Sequence, residues 1–130
     1  MIRTTAYQER LDALSTGAEG ERLAAEYLLK EGFDLLHRNW RNGRCEIDLV
    51  ARRDGVLHII EVKSRAADGL TAPEEAMTAA KFRSLCKAAR SYIATYGLDM
   101  DVQFDFIGVE FDADGTHTLR YLPDAMAPRW

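Results

Sequence analysis

The sequence predicts an α/β protein of the α+β kind, with a central mixed sheet flanked by helices in the order α-β-β-β-α-β-β. Three observations support this fold class. Two segments have helical periodicity, three short apolar runs lie between them, and two more runs follow the second helical segment. One mixed sheet with helices packed on it is the layer arrangement that buries such elements.

The first helix is predicted to begin with Thr16 as its cap and to end at Gly32, where a C-terminal cap would stand. Within "GAEGERLAAEYLLKEG", apolar positions recur at helical spacing, namely Leu23, Ala24, Tyr27 and Leu28. The next run, "FDLLHRNW" over residues 33–40, has a polar exit and is predicted to form the first strand.

A hairpin is predicted next, with strands at about 45–52 and 56–63 joined by Asp54-Gly55. This dipeptide favours a type I′ turn, because both central residues of that turn need positive φ. A two-residue loop places Arg53 opposite Val56. Paired positions in the hairpin should therefore have residue numbers that sum to 109.

The second helix is predicted to run from Thr71, its cap, to about Tyr96, with Pro73 in its first turn and Gly97 as its stop. Its inner face should carry the apolar residues that recur at helical spacing, which are Met77, Ala80, Leu85, Ala88, Tyr92 and Ile93.

Strands at 102–111 and 117–122 complete the predicted order. A chain of 130 residues is long enough for one domain with its own core. We therefore expect residues 1–130 to form a single domain, with a core at about 16–122. No repeat, linker or low-complexity segment interrupts the chain.

Bulk composition indicates an ordinary globular protein, with 47% hydrophobic and 29% charged residues. No window approaches the roughly 18 consecutive apolar residues of a membrane span, so we expect no membrane partner. The first residues lack the apolar centre of a secretory signal. The two cysteines, Cys45 and Cys86, form no CxxC motif. These features lead us to expect a cytoplasmic protein without disulfides or a zinc cluster.

Charge is unevenly distributed along the chain. The net charge is −4, which gives no global attraction to nucleic acid, yet residues 37–65 carry +3 while the segments on either side are negative. A local excess of this kind is usually a solvated surface. It coincides here with the predicted hairpin.

Four charged residues lie inside the hairpin strands, namely Glu46, Asp48, Glu61 and Lys63. The predicted register places Asp48 opposite Glu61 and Glu46 opposite Lys63. Opposite residues of an antiparallel pair share a face, so all four charges should meet on one side. Val50, Leu57 and Ile59 should share that face, with Ile47, Leu49, Ile60 and Val62 on the other.

One interpretation of this charged face is a half-exposed hairpin with weak ionic cross-strand pairs. Against it, the strands are apolar on both sides, as is usual for strands inside a sheet. Two carboxylates facing each other there would cost several kcal/mol unless a cation compensated them. Mg²⁺ binds one or two carboxylates and several waters. A metal site at Asp48 and Glu61, with Lys63 beside it, suits hydrolysis of a phosphate ester.

The sequence resembles the YraN family of small bacterial proteins over about residues 17–110. The resemblance is carried by "GAEGERLAAEYL", "RNWRNGRCEIDLVARRDGVLHIIEVKSR", "EEAMTAAKFRSLCKAARSYI" and "VQFDFIGV". That family is similar to archaeal Holliday-junction resolvases and belongs to the restriction endonuclease-like PD-(D/E)xK superfamily. The resemblance implies an αβββαβ core, in agreement with the predicted order.

The resemblance also implies roles for individual residues. Asp48 and Glu61 match the metal-binding acids, Lys63 matches the catalytic lysine, and Glu21 matches an additional acid on the first helix. The main-chain carbonyl of Val62 is expected as a further metal ligand. Glu21 has a second interpretation, as a first-turn acid favoured by the helix dipole. Two departures from the family pattern are Cys45, where Gly is usual, and Gln103, where Arg is usual.

Several residues are candidates for contact with nucleic acid, namely Arg38, Arg41, Arg44, Arg65 and Lys81. Lys81 matches a basic family position on the second helix, and its alternative role is a solvated helix residue. Trp40 lies between two arginines, where it would either stack on a base or pack in the core. Similarity to the resolvases implies DNA as the partner and a homodimer as the assembly.

Three functions remain open from sequence alone. The favoured one is a nuclease-like enzyme, dependent on Mg²⁺ or Mn²⁺, that hydrolyses phosphodiester bonds in branched or single-stranded DNA. The second is a module on a nuclease fold that binds nucleic acid or a protein without cleaving it. The third is a structural protein in which Lys63 and nearby arginines neutralise the two carboxylates.

Overall fold

A computed structural model describes residues 6–66 and 77–126 of the chain, with side chains from Gly17 onward in the first helix. The elements are α1 Ala6–Lys30, β1 Asp34–Asn42, β2 Cys45–Arg53, β3 Val56–Ala66, α2 Ala79–Tyr96, β4 Asp101–Phe111 and β5 His117–Met126. Their order is the predicted one. Each strand also contains most of the residues predicted for it.

The five strands form one sheet in the order β1-β2-β3-β4-β5. Neighbouring strands are antiparallel except for β3 and β4, which are parallel. Helix α2 makes the crossover that a parallel pair requires. The predicted mixed sheet, and with it the α+β fold class, is confirmed.

The two helices pack on opposite faces of the sheet. Alternate residues of a strand point to opposite faces, so a strand covered on both sides is apolar throughout. On one face, Ala24 and Leu28 of α1 pack with strand residues that include Leu49 and Ile60. The face under α2 is formed by Val50, Leu57, Ile59 and Phe104, among others.

The beginning of α1 differs from the prediction. Thr16 was expected to cap the helix, but α1 begins at Ala6 and continues through Thr16 and Gly17. The prediction was wrong because a threonine before a helical pattern is a common cap but not a required one, and Gly17 after it costs only about 1 kcal/mol inside a helix. Gly32 does end it: its φ is +87°, and the amide of Phe33 donates to the carbonyl of Leu28 at 3.0 Å.

Helix α2 also begins later than predicted. The proposed cap Thr71 and Pro73 lie outside the described residues. Thr78 caps the helix, since its side chain accepts the amide of Lys81 at 3.1 Å. The predicted inner-face residue Met77 therefore precedes the helix. Ala80 is exposed, so its predicted place on the inner face was also wrong.

The remainder of the α2 prediction is confirmed. Leu85, Ala88 and Tyr92 are buried, and Ile93 packs against the same core. Gly97 ends the helix in the left-handed conformation, with φ of 60°. The buried face also includes two residues that the prediction omitted, Cys86 and Ala89. Both cysteines are free thiols.

The two outer strands are irregular. Pairing of β1 with β2 shifts between Leu35 and His37, and Asn39 has a φ of +51°. Pairing of β5 with β4 shifts between Phe104 and Phe106, and Asp124 has a φ of +50° just after Pro123. Strand β5 extends to Met126, beyond the predicted end at 122.

A buried carboxylate joins the central strands to β5. Asp105 of β4 is fully buried and accepts His58 Nδ1 of β3 at 2.6 Å. It also accepts the Tyr121 hydroxyl at 2.7 Å, the Gln103 amide at 2.9 Å and the Asp124 main-chain N–H at 2.9 Å. Burial alone would raise the pKa of Asp105, but these hydrogen bonds outweigh burial and leave the pKa below its usual value.

Trp40 belongs to the core under α2. It is 7% exposed, its ring meets that of Tyr92 edge-on at 5.1 Å, and its indole N–H donates to the Tyr96 hydroxyl at 3.2 Å. A ring enclosed in this way presents no free face to a nucleobase. Of the two roles considered for Trp40, the structure therefore supports core packing.

Candidate active site

The hairpin of β2 and β3 opens into a fork at the candidate site. Asp54 and Gly55 have φ of +52° and +75°, and the ladder from Arg53–Val56 to Leu49–Ile60 has the predicted register. Both strands continue beyond Leu49–Ile60, but their paired positions end there. Asp48 and Glu61 thus lie where the two strands stop pairing, one step past the last pair.

At the start of the fork, a side-chain oxygen takes the place of a main-chain carbonyl as hydrogen-bond acceptor. In a regular ladder the next hydrogen-bonded pair would join Val62 to Ile47. Instead, the Val62 N–H donates to the Asp48 carboxylate at 2.8 Å. The N–H and C=O of one strand residue point to the same side, so the Val62 carbonyl also faces the fork.

The alternation of β2 breaks at Asp48. Ile47 was predicted to share a face with Leu49, but it packs with Val50 in the core under α2. The prediction was wrong because β2 is not regular here. The β1–β2 register leaves Asn39 facing Asp48, and Asn39 adopts left-handed φ. Asp48 therefore lies in an irregular part of β2, where successive side chains do not alternate between the two faces of the sheet.

The fork forms a pocket of about 410 Å³ between the two helices. Strands β2 and β3 supply its floor, α1 supplies one acid, and α2 supplies a lysine, a serine and a leucine. The lining residues are Glu21, Arg44, Glu46, Asp48, Glu61, Val62, Lys63, Lys81, Ser84 and Leu85. Every residue predicted from sequence to bind metal or take part in catalysis lines this one pocket.

Asp48 is electrostatically destabilised as a carboxylate. Its pKa is raised to about 7. Burial is the largest cause, the negative charges of Glu61, Glu21 and Glu46 also raise the pKa, and the hydrogen bond from Val62 lowers it. A carboxyl group near its own pKa at neutral pH needs a positive partner to stay ionised. The pocket thus has the electrostatic property expected of a cation site.

Glu61 lies between two ammonium groups. Its Oε1 is 3.7 Å from Lys63 Nζ and 3.4 Å from Lys81 Nζ, and the Glu61 side chain is only 12% exposed. Lys63 comes from the same strand, whereas Lys81 reaches across from the first turn of α2. Burial and the neighbouring Lys63 charge lower the pKa of Lys81. Lys81 is therefore part of the pocket, with 40% of its side chain exposed.

The cross-strand pair predicted between Glu46 and Lys63 is absent from the described ion pairs. Glu46 instead pairs with Arg41 of β1, at 3.3 Å on the exposed surface. The prediction was wrong because it assumed that the β2–β3 ladder continues past Leu49, whereas β2 pairs only with β1 at Glu46.

Glu21 reaches the pocket because α1 approaches β3 closely at the preceding residue. A Cβ added to Gly20 would lie 1.7 Å from Ser64 Oγ and 3.0 Å from Ser64 Cβ. The same addition at Gly17 would meet nothing within 4 Å. Of the two glycines in the sequence motif, Gly20 is the one that the packing requires.

The residues predicted to hold a metal, namely Asp48, Glu61, Glu21 and the carbonyl of Val62, all line the pocket, but the three acids are too far apart to bind one ion together. No other group of three histidine, cysteine or acidic side chains is close enough to bind a metal within residues 17–66 and 77–126. Mg²⁺ commonly uses one or two carboxylates and completes its shell with water. Two acids that line one pocket, one of them the desolvated Asp48, and a main-chain carbonyl directed into the fork fit such an ion.

The four predicted nucleic-acid arginines occupy different environments. Arg44 lines the pocket, and Arg38 is exposed on β1. Arg41 pairs with Glu46, and Arg65 is held by Glu110 across the parallel β3–β4 pair. A contact from Arg41 or Arg65 to a phosphate would have to displace these carboxylates.

Sequence reasoning did not single out Ser84 or Leu85 as site residues. Both line the pocket from the second turn of α2. Their position depends on how α2 crosses the sheet, which no local pattern encodes. The helical spacing of Ser84 from Lys81 was the available signal, since residues three apart on a helix are neighbours.

Comparison with known proteins identifies the family. Residues 20–109 match the uncharacterised protein family UPF0102. The chain belongs to this family. A UPF0102 protein of Porphyromonas gingivalis is 40% identical over 100 residues, which cover 77% of this chain and 74% of the relative.

Two other UPF0102 relatives extend further along the chain. One from Chlorobium chlorochromatii is 39% identical over 114 residues, covering 84% of this chain and 88% of the relative. One from Bacteroides fragilis is 37% identical over 112 residues, covering 86% and 92%. UPF0102 is the YraN family that the sequence motifs resemble, so that resemblance is confirmed. The matched residues, 20–109, include every residue of the candidate site.

No helix in the described ranges is both long and apolar enough to cross a membrane.

Proposed function

We propose that this protein is a divalent-metal-dependent nuclease that hydrolyses phosphodiester bonds in DNA, in branched or single-stranded regions. The observation that supports it is the gathering of Asp48, Glu61 and Lys63 around one fork-shaped pocket, with Asp48 buried enough to need a cation. The resemblance to PD-(D/E)xK nucleases rests on the same three residues.

Asp48, Glu61 and the Val62 carbonyl would hold Mg²⁺ or Mn²⁺ in this proposal, with Glu21 in the same pocket. The ion would supply Lewis-acid activation of the phosphate and of a bound water. Asp48 must be ionised to take part. The attraction between the ion and the Asp48 carboxylate must therefore outweigh the free-energy cost of its burial and of the repulsion from three neighbouring acids.

Lys63 would act on the attacking water. Its side chain is 31% exposed and its ammonium is 3.7 Å from Glu61, so it lies beside the acids and open to a substrate. From there the ammonium can hydrogen-bond the water and stabilise negative charge that develops on the phosphate. Lys81 and Arg44, which also line the pocket, would bind the non-reacting phosphate oxygens.

The test is cleavage of a panel of linear, flapped and four-way DNA substrates in the presence of Mn²⁺. We expect the wild-type protein to cut at least one substrate and Lys63→Ala to abolish cutting, because the ammonium beside the acids is lost. Lys30→Ala removes an exposed lysine at the end of α1 and serves as the matched control. Failure on every substrate, together with no heat of metal binding in titration calorimetry, would reject the proposal.

A binding module that does not cleave is the second candidate. It is favoured by the way Lys63 and Lys81 already flank Glu61, so that this carboxylate is neutralised by the protein itself. On this alternative, binding of DNA or a protein partner persists in EDTA and in Asp48→Asn. Loss of binding in either condition would exclude it.

By analogy with the resolvases, we also propose that two copies assemble on a branched substrate. Sedimentation of the free protein and of its complex with a four-way junction tests this. A complex with one copy per junction would contradict it.

A further inference from the structure

Helix α2 differs in charge from the rest of the chain. Its 18 residues include four basic residues, Lys81, Arg83, Lys87 and Arg90, and no acidic residue. The whole protein has a net charge of −4. A helix of this charge in an acidic protein marks a surface suited to a polyanion.

The positive charges of α2 lie outside the core. Its buried side consists of Leu85, Cys86, Ala88, Ala89 and Tyr92, which pack on the sheet. Arg83, Ser84 and Lys87 are exposed. In the part of the chain that the structure describes, no carboxylate lies within ion-pair distance of Arg83 or Lys87.

The exposed face of α2 is continuous with the pocket. Lys81 and Ser84 line the pocket, and Lys87 follows Ser84 by three residues on the same side of the helix. The helical rise places Lys87 about 9 Å beyond Lys81 along the axis. We use the name α2 basic face for Arg83, Ser84 and Lys87, which are exposed, together with Lys81, which lies at the pocket end of this surface.

Two other basic residues near the site are already engaged. Arg41 pairs with Glu46, and Arg65 pairs with Glu110. On the opposite helix, Arg22 pairs with two acids of its own helix, and the residue that α1 contributes to the pocket is the acid Glu21. The two walls of the pocket therefore differ in sign, with the positive wall on α2.

We propose that the α2 basic face binds the phosphodiester backbone of the substrate and leads it into the pocket, so that the strand lies along α2 and not along α1. This inference rests on the proposed function for the identity of the pocket, and it adds the surface that receives the substrate. Phosphates would contact Lys87 and Arg83 outside the pocket and Lys81 at its edge.

Contacts of this kind are independent of sequence and sensitive to salt. Each phosphate contact releases counterions, which gives a slope of about −0.7 in a plot of log K against log salt for single strands. Such a contact contributes about fivefold in affinity at 0.1 M salt relative to 1 M. A residue that contacts no phosphate changes neither quantity.

The experiment measures binding of a fluorescent single-stranded DNA oligonucleotide by anisotropy over a range of salt concentrations, with EDTA present so that no cleavage occurs. Wild type is compared with Lys87→Ala and Arg83→Ala. The matched control is Lys30→Ala, which changes net charge equally at an exposed position of α1. We expect each α2 variant to bind about fivefold more weakly than wild type at 0.1 M salt. Its plot of log K against log salt should be less steep by about 0.7, and Lys30→Ala should match wild type in both quantities.

An RNA oligonucleotide of the same sequence should show the same loss in the α2 variants, because the phosphate and not the sugar is contacted. A loss seen with DNA alone would overturn the backbone contact. Equal binding by Lys87→Ala, Arg83→Ala and wild type would overturn the inference, as would an equal loss in Lys30→Ala.

The outcome is separable from that of the proposed function. Cutting of DNA by wild type, with α2 variants that bind normally, would retain the nuclease and reject the α2 basic face. Binding that depends on α2, in a protein that cuts no substrate with Mn²⁺, would retain the face and reject the nuclease. Circular dichroism of each variant establishes that the fold is kept.

Discussion

At the scale of single residues, the close approach of α1 to β3 depends on one glycine. Gly20 lies against Ser64, whose hydroxyl is buried and has no hydrogen-bond partner within the described residues. The residue after Gly20 is Glu21, the acid that α1 contributes to the pocket. A side chain at position 20 would have to displace the Ser64 hydroxyl and would still press on Ser64 Cβ, which lies 3.0 Å from the added Cβ.

We expect Gly20→Ala to lower the free energy of unfolding by about 1–3 kcal/mol, because the added methyl group overlaps Ser64. Gly17→Ala is the control, since a methyl group there meets no atom within 4 Å. It should raise stability by about 0.5–1 kcal/mol through helix propensity. Urea denaturation of both variants measures the difference, and equal effects would contradict the packing argument.

Local turn chemistry was predictable from the sequence, whereas the contacts of Ile47 and Lys81 were not. The pairing of Arg53 with Val56 follows from local turn chemistry, and it was predicted correctly. The side on which Ile47 packs was not, because it depends on the left-handed Asn39 of a neighbouring strand. The reach of Lys81 to Glu61 likewise depends on how α2 lies over the sheet. Tertiary contacts, not propensity, decide both.

At the scale of elements, hydrogen bonds to Asp105 connect β3, β4 and β5 next to the site. It is buried in β4 and holds His58 of β3, three residues before Glu61. From β5 it accepts the Tyr121 hydroxyl and the Asp124 main-chain N–H. No pattern in the sequence marked this residue, because its partners come from three separate segments.

We expect Asp105→Ala to destabilise the protein by about 3–5 kcal/mol, because it leaves several buried donors without an acceptor. Asp99→Ala removes an exposed acid just before β4 and should change stability by less than about 0.5 kcal/mol. Chemical denaturation compares the two. A small effect of Asp105→Ala would show that water replaces the carboxylate.

Element order was predicted better than element ends. Hydrophobic periodicity and the Asp54-Gly55 turn were sufficient for seven elements in the correct order. The first turns of both helices were misplaced, since a threonine before a helical pattern is a common cap but not a required one. Helix α1 passes through Thr16, and α2 is capped by Thr78.

At the scale of the whole molecule, folding is linked to the charge state of the pocket. The pKa of Asp48 is raised to about 7 in the folded protein, mainly by burial and then by Glu61. In the unfolded chain an aspartate has a pKa of about 3.9. Between these values the folded state binds a proton that the unfolded state has released, so stability falls as pH rises from about 4 to 7.

We expect a divalent ion to reverse this dependence, because it binds the ionised carboxylates. Mg²⁺ should raise Tm clearly at pH 8 and little at pH 5, where Asp48 is protonated. At 100 times Kd the stabilisation is about 2.7 kcal/mol. Thermal melts with and without Mg²⁺ at the two pH values measure it.

Asp48→Asn is the matched variant for this linkage. It removes the charge while keeping the size of the side chain, so the metal-free protein should be more stable than wild type at pH 8 and should not respond to Mg²⁺. An identical Mg²⁺ response at both pH values, or one that survives in Asp48→Asn, would place the ion elsewhere.

The outermost strands limit how the molecule can associate. Asn39 in β1 and Asp124 in β5 each turn the backbone into the left-handed region, and Pro123 lacks an N–H to donate. These residues interrupt each outer strand, and in β5 they limit the regular outer edge to the six residues His117–Leu122. Pairing of a second chain along the full length of either outer strand is therefore disfavoured, which lowers the tendency of the sheet to extend from one copy to the next.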